Sequence, residues 1–208
     1  MLGFIKKDLL LAKNNYKTIL ISVIIFILFS FSNNTDISFI LPFMMLVIII
    51  STFSYDDYNK WTIYSATFPN GRKNYIKGKY IATIILIIGI TLINFILSFL
   101  LFSMKHSIDL ENIIISYLGC IIAILSIISI LFPFLFKYGS EKGRIVMFIL
   151  SILVFTFIGI ISKFNLKLPS NLLSFFKEFG IYFICSLVVI MLISSYFISK
   201  KIFLKKEL

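Results

Sequence analysis

The sequence predicts an all-α membrane protein with six transmembrane helices and an N-terminal interfacial helix. Apolar residues make up 60% of its 208 residues, and the mean hydropathy is +1.04. This is more apolar surface than a soluble domain of that length can cover. The long apolar runs carry no charge at their centres. Because backbone groups in lipid must satisfy their own hydrogen bonds, such runs are predicted to be helices.

Six apolar stretches approach the roughly 20 residues that a helix needs to cross the hydrocarbon core. They are residues 18–33, 37–54, 80–103, 112–136, 145–162 and 179–199. The first two are short, and the polar segment 32–36 between them predicts a tight helical hairpin. We therefore interpret residues 1–208 as a single transmembrane domain.

The basic residues predict the orientation of this domain. With six spans, 16 of the 20 Lys and Arg residues fall on the side that carries both termini, and the others are Lys105, Lys163, Lys167 and Lys177. The positive-inside rule then places both termini in the cytoplasm of a multi-pass cell-membrane protein. The net charge of +11 is thus attributed to topology and contact with membrane lipid, not to nucleic acid. Abundant Ile, Lys, Asn and Phe suggest a bacterial source.

Residues 1–16 are predicted to form an amphipathic helix at the membrane interface. Its apolar residues recur at helical spacing, at Leu2, Ile5, Leu9 and Ala12, with Lys6 and Lys13 on another face. The alternative is a plain basic flank that anchors the topology.

The polar segment 55–79 contains the only tryptophan, Trp61, and divides at a strong turn signal, Pro69-Asn70-Gly71. Asp56 and Asp57 suit the first turn of a short helix, where carboxylates meet the positive end of the helix dipole. The aromatic residues of that helix share one face; they are Tyr58, Trp61, Tyr64 and Phe68. After the turn, Arg72-Lys73 is predicted to open a second helix that continues into the third span.

This segment is interpreted as a docking surface. An interfacial aromatic belt would also explain the aromatic residues. The acidic pair and the sharp turn are better explained by docking, which requires aromatic anchors and a polar rim. The short turn 137–144, basic and with two glycines, is a second candidate contact.

The third span carries Thr91, Asn94 and Ser98 on one helical face. Polar groups in lipid face either a partner helix or a water-filled path. Bonding between helices is the favoured interpretation, and lining of a translocation path is the weaker one.

Catalytic chemistry is not indicated. His106 is the only histidine, and neither Cys120 nor Cys185 belongs to a metal-ligand or disulfide pattern. The run from Gly71 to Gly78-Lys79 lacks phosphate-loop spacing, and Tyr80 replaces the required hydroxyl residue. The chain is therefore predicted not to be an enzyme and to bind no cofactor or metal of its own.

Residues 53–61, 68–73 and 78–80 together resemble the first cytoplasmic loop of small ABC-2 type permeases, the membrane subunits of ATP-binding-cassette exporters. The turn 137–144 is similar to a matching segment of the same group.

The resemblance implies a separate ABC ATPase, present in two copies, that binds ATP and Mg²⁺ and hydrolyses the ATP. It also implies a second permease copy or a sister permease. It implies a coupling helix near 56–68 whose ATPase contacts are Asp56, Asp57, Tyr58, Trp61, Tyr64, Phe68 and Arg72. The second cytoplasmic contact would comprise Lys137, Glu141 and Arg144. Relatives of this size export small amphipathic peptides, such as phenol-soluble modulins, or confer resistance to antimicrobial peptides. A non-transporting scaffold or sensor and a secondary carrier remain as alternatives.

Overall fold

A computed structural model describes residues 1–32, 40–104, 110–164 and 170–206, all of them helical apart from short connections. The helices are α1 (Leu2–Asn14), α2 (Tyr16–Ser32), α3 (Ile40–Tyr58), α4 (Trp61–Ala66), α5 (Gly71–Met104), α6 (Leu110–Phe164) and α7 (Ser170–Lys205). The all-α prediction is confirmed for this part of the chain. The predicted hairpin turn at 33–36, Lys105, His106 and Lys167 lie outside the described residues.

Among the described residues, three helices are long and apolar enough to cross a membrane. The qualifying stretches are Gly71–Leu100 in α5, Tyr117–Leu150 in α6 and Phe183–Lys205 in α7, with mean hydropathies of 2.6, 2.7 and 2.0. The chain is accordingly a membrane protein. The count of six spans and the side on which the termini lie stay predictions.

Helix α6 is interrupted at Gly139, whose backbone has φ 82° and ψ −179°. A Cβ atom on Gly143 would lie only 2.2 Å from Cδ2 of Leu135. Eight residues of straight helix would separate these positions by about 12 Å, so the chain bends sharply at Gly139. The prediction of an eight-residue turn at 137–144 is therefore wrong, because the change of direction occurs at one residue, Gly139. Only glycine readily adopts this backbone conformation.

Aromatic side chains join α3, α5, α6 and α7 at the end of the bundle where this bend lies. Ring centroids are 4.7 Å apart for Tyr80 and Phe132, and 5.3 Å apart for Phe53 and Phe136. Most pairs meet edge to face, an arrangement that contributes about 0.5–1.5 kcal/mol beyond area burial. The six buried rings of this aromatic core are Phe53, Tyr75, Tyr80, Phe132, Phe136 and Phe203.

Next to the aromatic core lies a charge cluster formed by Lys7, Asp8, Asp56 and Lys79. Lys79 Nζ is 3.0 Å from Asp8 Oδ1 and 2.7 Å from Asp56 Oδ2, and the Lys79 side chain is only 2% exposed. Lys7 pairs with the same two carboxylates, at 3.2 Å from Asp8 Oδ1 and in a close contact with Asp56. The cluster thus ties α1, α3 and α5 together through two cations and two anions.

The remaining polar atoms of the cluster are also bonded. The Tyr75 hydroxyl donates to Asp56 Oδ2 at 2.7 Å, and Lys79 donates to the carbonyl and hydroxyl oxygens of Thr52 at 3.3 and 3.2 Å. Burial by itself would raise the pKa of the Asp56 carboxyl, but the ammonium groups of Lys79 and Lys7 outweigh burial and hold that pKa below its ordinary value. The two lysines balance the two aspartates, which makes the burial of this cluster tolerable.

Helix α1 contributes Lys7 and Asp8 to this cluster and packs against α5. Its buried residues are Ile5, Asp8 and Ala12, whereas Leu2 is exposed. Part of the apolar face predicted for this helix is therefore buried within the protein. Asp8 lies on the same face, where it pairs with Lys79. A Cβ atom on Gly78 would lie 2.9 Å from Cβ of Phe4, so α1 approaches α5 closely at this glycine.

Replacement of Lys79 should destabilise the fold strongly. In Lys79→Met, Asp8 and Asp56 lose their shared buried cation, and leaving such charges uncompensated costs about 3–5 kcal/mol. For a chain of this length that corresponds to a fall of roughly 10 °C in apparent Tm. Thermal unfolding of the detergent-solubilised protein measures the effect.

The matched control is Lys77→Met, two residues away on the same helix and exposed. It should change Tm by no more than a degree or two, because surface substitutions are worth about 0.5 kcal/mol or less. Equal Tm values for the two variants would show that the charge cluster does not stabilise the fold.

Candidate docking surface

The polar segment between α3 and α5 begins with two aspartates whose placement differs from the prediction. Asp56 and Asp57 lie in the last turn of α3, not in the first turn of a short helix. Carboxylates at a helix C-terminus oppose the helix dipole. Here Asp56 is neutralised by Lys7 and Lys79, so tertiary contacts override the local preference. The next helix, α4, starts at Trp61 after Lys60, which has φ 53°.

Asp57 bonds across to the bend in α6. Its Oδ2 accepts a hydrogen bond from the backbone N–H of Ser140 at 2.7 Å. Ser140 follows Gly139 and opens the second half of the helix, so Asp57 satisfies a free N–H group as an N-cap residue would. A Cβ atom on Gly139 would lie 3.3 Å from Asp57 Oδ2. Arg144 adds a second link by donating to Ser54 Oγ at 3.0 Å.

The aromatic ridge of this surface consists of Trp61, Tyr64 and Phe68. The Trp61 and Tyr64 rings are 5.1 Å apart and the Tyr64 and Phe68 rings 5.0 Å apart, both edge to face. Tyr64 is 51% exposed and Phe68 44%. Trp61 is half-buried, with Lys7 Nζ 4.8 Å from its ring centroid. The ridge is therefore fixed to the charge cluster at one end and open at the other.

Tyr58 was expected on the same helical face as the ridge, but it belongs to α3. It is 87% exposed and lies before the left-handed residue Lys60, so it is not continuous with α4. The physical reason is that the chain changes direction at Lys60, which ends the helical periodicity assumed from the sequence.

The predicted Pro69-Asn70-Gly71 turn is present. Asn70 has φ 57°, and Gly71 donates its N–H to Phe68 O at 2.9 Å. A Cβ atom on Gly71 would lie 1.9 Å from Ser65 O, so only glycine fits between α4 and α5. Helix α5 then runs without interruption into the third predicted span, as expected.

Arg72 is engaged within the chain. Its guanidinium donates to Leu204 O and Lys206 O, each at 3.3 Å, at the end of α7. Such contacts satisfy carbonyl groups that the helix end leaves without a partner. Arg72 thus connects the docking segment to α7, and its contact with an ATPase stays a prediction.

A groove of about 520 Å³ separates the end of α3 from the bend in α6. Its lining carries charges of both signs and comprises Ser54, Asp57, Tyr58, residues 138–142 and Arg144. The predicted second contact, Lys137, Glu141 and Arg144, is exposed beside or along this groove. The start of the first predicted loop and the second predicted contact therefore border the same groove.

The polar stripe Thr91, Asn94 and Ser98 is buried within the chain. Ser98 Oγ shares a hydrogen bond with the Tyr117 hydroxyl of α6, and that hydroxyl donates to Asn94 O at 3.1 Å. Thr91 bonds to carbonyls of its own helix. These are contacts of helix packing, and lining of a translocation path stays a prediction.

Sequence reasoning missed the joint role of Lys7, Asp8 and Lys79. One signal was available: Asp8 is the only acidic residue before Asp36, and it falls on the helical face of Ile5 and Ala12. An acidic residue on an apolar face predicts a buried cation partner. The sequence could not say which lysine. Within the described ranges, no group of three or more His, Cys, Asp or Glu side chains could hold a metal ion.

Substitution of Gly139 should disturb the junction of the two loops. Gly139→Ala places a Cβ atom in a backbone region nearly restricted to glycine and against Asp57, at a cost of about 1–3 kcal/mol. The expected result is a lower Tm in detergent. Gly119→Ala in the same helix is the control, because a Cβ atom there meets nothing within 4 Å, and it should be neutral or slightly stabilising. Equal Tm values for Gly139→Ala and Gly119→Ala would contradict the bend assigned to Gly139.

Comparison with protein-family models identifies the chain over nearly its whole length. The model described as ABC-2 family transporter protein matches residues 3–204. Comparisons with curated proteins and with solved structures gave no match. The matched range contains the charge cluster, both halves of the docking surface and the three candidate membrane spans, except for the last residue of the third, Lys205. The resemblance noted from the two loops is thereby confirmed, and the chain belongs to the ABC-2 family of transporter membrane proteins.

Proposed function

We propose that this chain is the permease subunit of an ATP-driven exporter that moves small amphipathic or antimicrobial peptides out of the cytoplasm or the inner leaflet. Membership of the ABC-2 family makes the chain a membrane subunit that relies on an ABC ATPase partner. The direction of transport and the peptide cargo are the proposal. They rest on the resemblance to small peptide exporters described above.

One observation carries the proposed mode of coupling: the end of α3 and the bend in α6 line one groove, and the exposed aromatic ridge directly follows the end of α3 along the chain. Interfaces concentrate binding energy in aromatic anchors surrounded by a polar rim. Tyr64 and Phe68 supply exposed aromatic groups, and the neighbouring groove supplies charged groups of both signs. An ATPase docked here would contact both halves of the surface at once.

The internal contacts of this surface suggest how ATPase movement would reach the spans. Trp61 contacts Lys7, and Lys7 belongs to the cluster that holds α1, α3 and α5. Asp57 holds the second half of α6 through Ser140. A displaced α4 would therefore pull on several helices as semi-rigid bodies.

The proposed working unit contains two permeases, either two copies of this chain or one copy and a sister permease, and two ATPases that bind ATP and Mg²⁺. A path would open at the interface between the permeases. Thr91, Asn94 and Ser98 would line that path only where α5 separates from α6, because these helices now bury them. The charge distribution favours a cell membrane protein with both termini in the cytoplasm, and the abundance of Ile, Lys, Asn and Phe suggests a bacterial source.

Truncation of the exposed ridge should uncouple the ATPase. Tyr64→Ala/Phe68→Ala removes two aromatic anchors, each worth about 2 kcal/mol where it is an interface hot spot. We expect ATPase binding to weaken at least tenfold. Co-purification of the partner ATPase with the tagged chain, and ATP hydrolysis by the purified complex, measure the effect. Trp61 is left intact because it also packs against Lys7.

Tyr16→Ala is the matched control, because Tyr16 is an exposed aromatic residue outside the docking surface. It should leave co-purification and hydrolysis unchanged. A stable ridge variant with wild-type ATPase coupling would refute the assigned surface.

Export itself is tested in proteoliposomes that contain the permease–ATPase complex. We expect a fluorescent amphipathic peptide to move across the bilayer only with ATP and Mg²⁺, and more slowly with Tyr64→Ala/Phe68→Ala. ATP-independent movement would indicate a secondary carrier. ATPase binding without movement of any amphipathic peptide would favour a scaffold or sensor.

A further inference from the structure

A second groove adjoins the docking surface at Tyr138 and lies between the first half of α6 and α7. Its volume is about 440 Å³. Both walls belong to candidate membrane spans, and they are largely apolar, with Ile130, Pro133 and Phe134 on α6 and Met191 and Ile198 on α7. By length and composition, the groove thus belongs to a membrane-spanning part of the chain.

Two serine hydroxyl groups of the groove make hydrogen bonds within the protein. Ser195, which contributes to the lining, shares a hydrogen bond of 2.8 Å with the Tyr80 hydroxyl behind it. Ser194 donates to Met191 O at 2.9 Å. With these hydroxyl groups engaged inside the protein, an apolar occupant suits the groove.

The end of the groove nearest the bend in α6 carries positive charge. Lys137 and Tyr138 line it, and Lys137 Nζ lies 4.9 Å from the Tyr138 ring centroid. Lys142 lines the neighbouring docking groove, and its Nζ lies 5.5 Å from the same ring centroid. Both lysines are exposed. The ion pairs of the described residues all lie in the charge cluster, so neither lysine is paired with a carboxylate in that part of the chain.

We propose that this groove binds an anionic phospholipid, with one acyl chain between α6 and α7 and the headgroup phosphate against Lys137 and Lys142. The apolar walls match an acyl chain, and the lysines match a negatively charged headgroup. Basic sites between membrane helices recognise anionic lipids in this way. The acyl chain gains little by leaving the bilayer, which is equally apolar, so the lysines supply the selectivity.

The size of the groove favours a lipid over a peptide. One turn of α-helix, 5.4 Å long and about 10 Å across, occupies roughly 420 Å³. The groove therefore holds only about one helical turn, whereas a slender acyl chain can lie along it. The lipid site does not depend on transport or on an ATPase, so its test is independent of the function proposed above.

The test uses the full-length chain in nanodiscs with equal amounts of phosphatidylglycerol and phosphatidylcholine of identical acyl chains. Native mass spectrometry after release into mild detergent counts the retained lipids. We expect preferential retention of phosphatidylglycerol by the wild type. Each lysine is worth roughly fivefold in affinity for an anionic lipid, so Lys137→Gln/Lys142→Gln should weaken retention more than tenfold, and Lys137→Arg/Lys142→Arg should preserve it.

Two further variants separate the groove from general surface charge. Lys73→Gln/Lys77→Gln removes the same charge from exposed positions on α5 and should leave retention within about twofold of wild type. Ser194→Phe fills the groove while leaving both lysines, and should abolish selective retention. Ser194 is exposed, so this change is compatible with folding, which an unchanged Tm verifies.

The proposal is wrong if the wild type retains both lipids equally, or if Ser194→Phe still retains phosphatidylglycerol selectively. It is also wrong if Lys73→Gln/Lys77→Gln loses as much phosphatidylglycerol as Lys137→Gln/Lys142→Gln. If Ser194→Phe still retains phosphatidylglycerol but loses peptide-stimulated ATP hydrolysis, the groove would instead be a binding site for the transported peptide. Loss of a dimer in that variant would instead assign it to a second copy of the chain.

Discussion

The fold depends on the neutralisation of Lys79. This lysine lies where the basic start of α5 gives way to a long apolar stretch, and it is almost completely buried. An isolated ammonium group could not stay charged there. Asp8 and Asp56 come from two other helices to pair with it, and Lys7 balances the second negative charge. Since apolar helices in lipid have little hydrophobic reason to choose one neighbour over another, these four charges give α1, α3 and α5 a defined relative position.

The neighbouring aromatic core connects α7 to the three helices that the charge cluster holds together. Tyr75 belongs to both, because its hydroxyl donates to Asp56 and its ring stacks on Phe203 at 5.4 Å. Through that ring, α7 is linked to the charge cluster. Arg72 strengthens the link by capping the end of α7. The end of the bundle that carries the docking surface is therefore its most extensively bonded part among the described residues, which suits a region that must transmit displacement.

The docking surface is itself built from contacts between segments distant in sequence. Asp57 and Ser140 are 83 residues apart, yet their hydrogen bond joins the end of α3 to the bend in α6. Tyr138 lies beside both this surface and the groove between α6 and α7. The proposed lipid headgroup site would therefore adjoin the proposed ATPase site, and a bound lipid could stabilise the bend on which docking depends.

The sequence by itself determined the helical class, the membrane environment, the turn at Pro69-Asn70-Gly71 and the two loops that carry the family resemblance. These follow from local properties: apolar run length, turn residues and loop composition. Tertiary structure decided where Asp56, Asp57 and Arg72 point. Local rules placed both aspartates at a helix start, but Asp56 is held at a helix end by lysines from α1 and α5. Tertiary structure also reduced the second loop to a bend at Gly139, because Asp57 supplies the hydrogen bond that opens the next helix. Partners so far apart in the chain leave no periodic signal, so only the packed helices could reveal them.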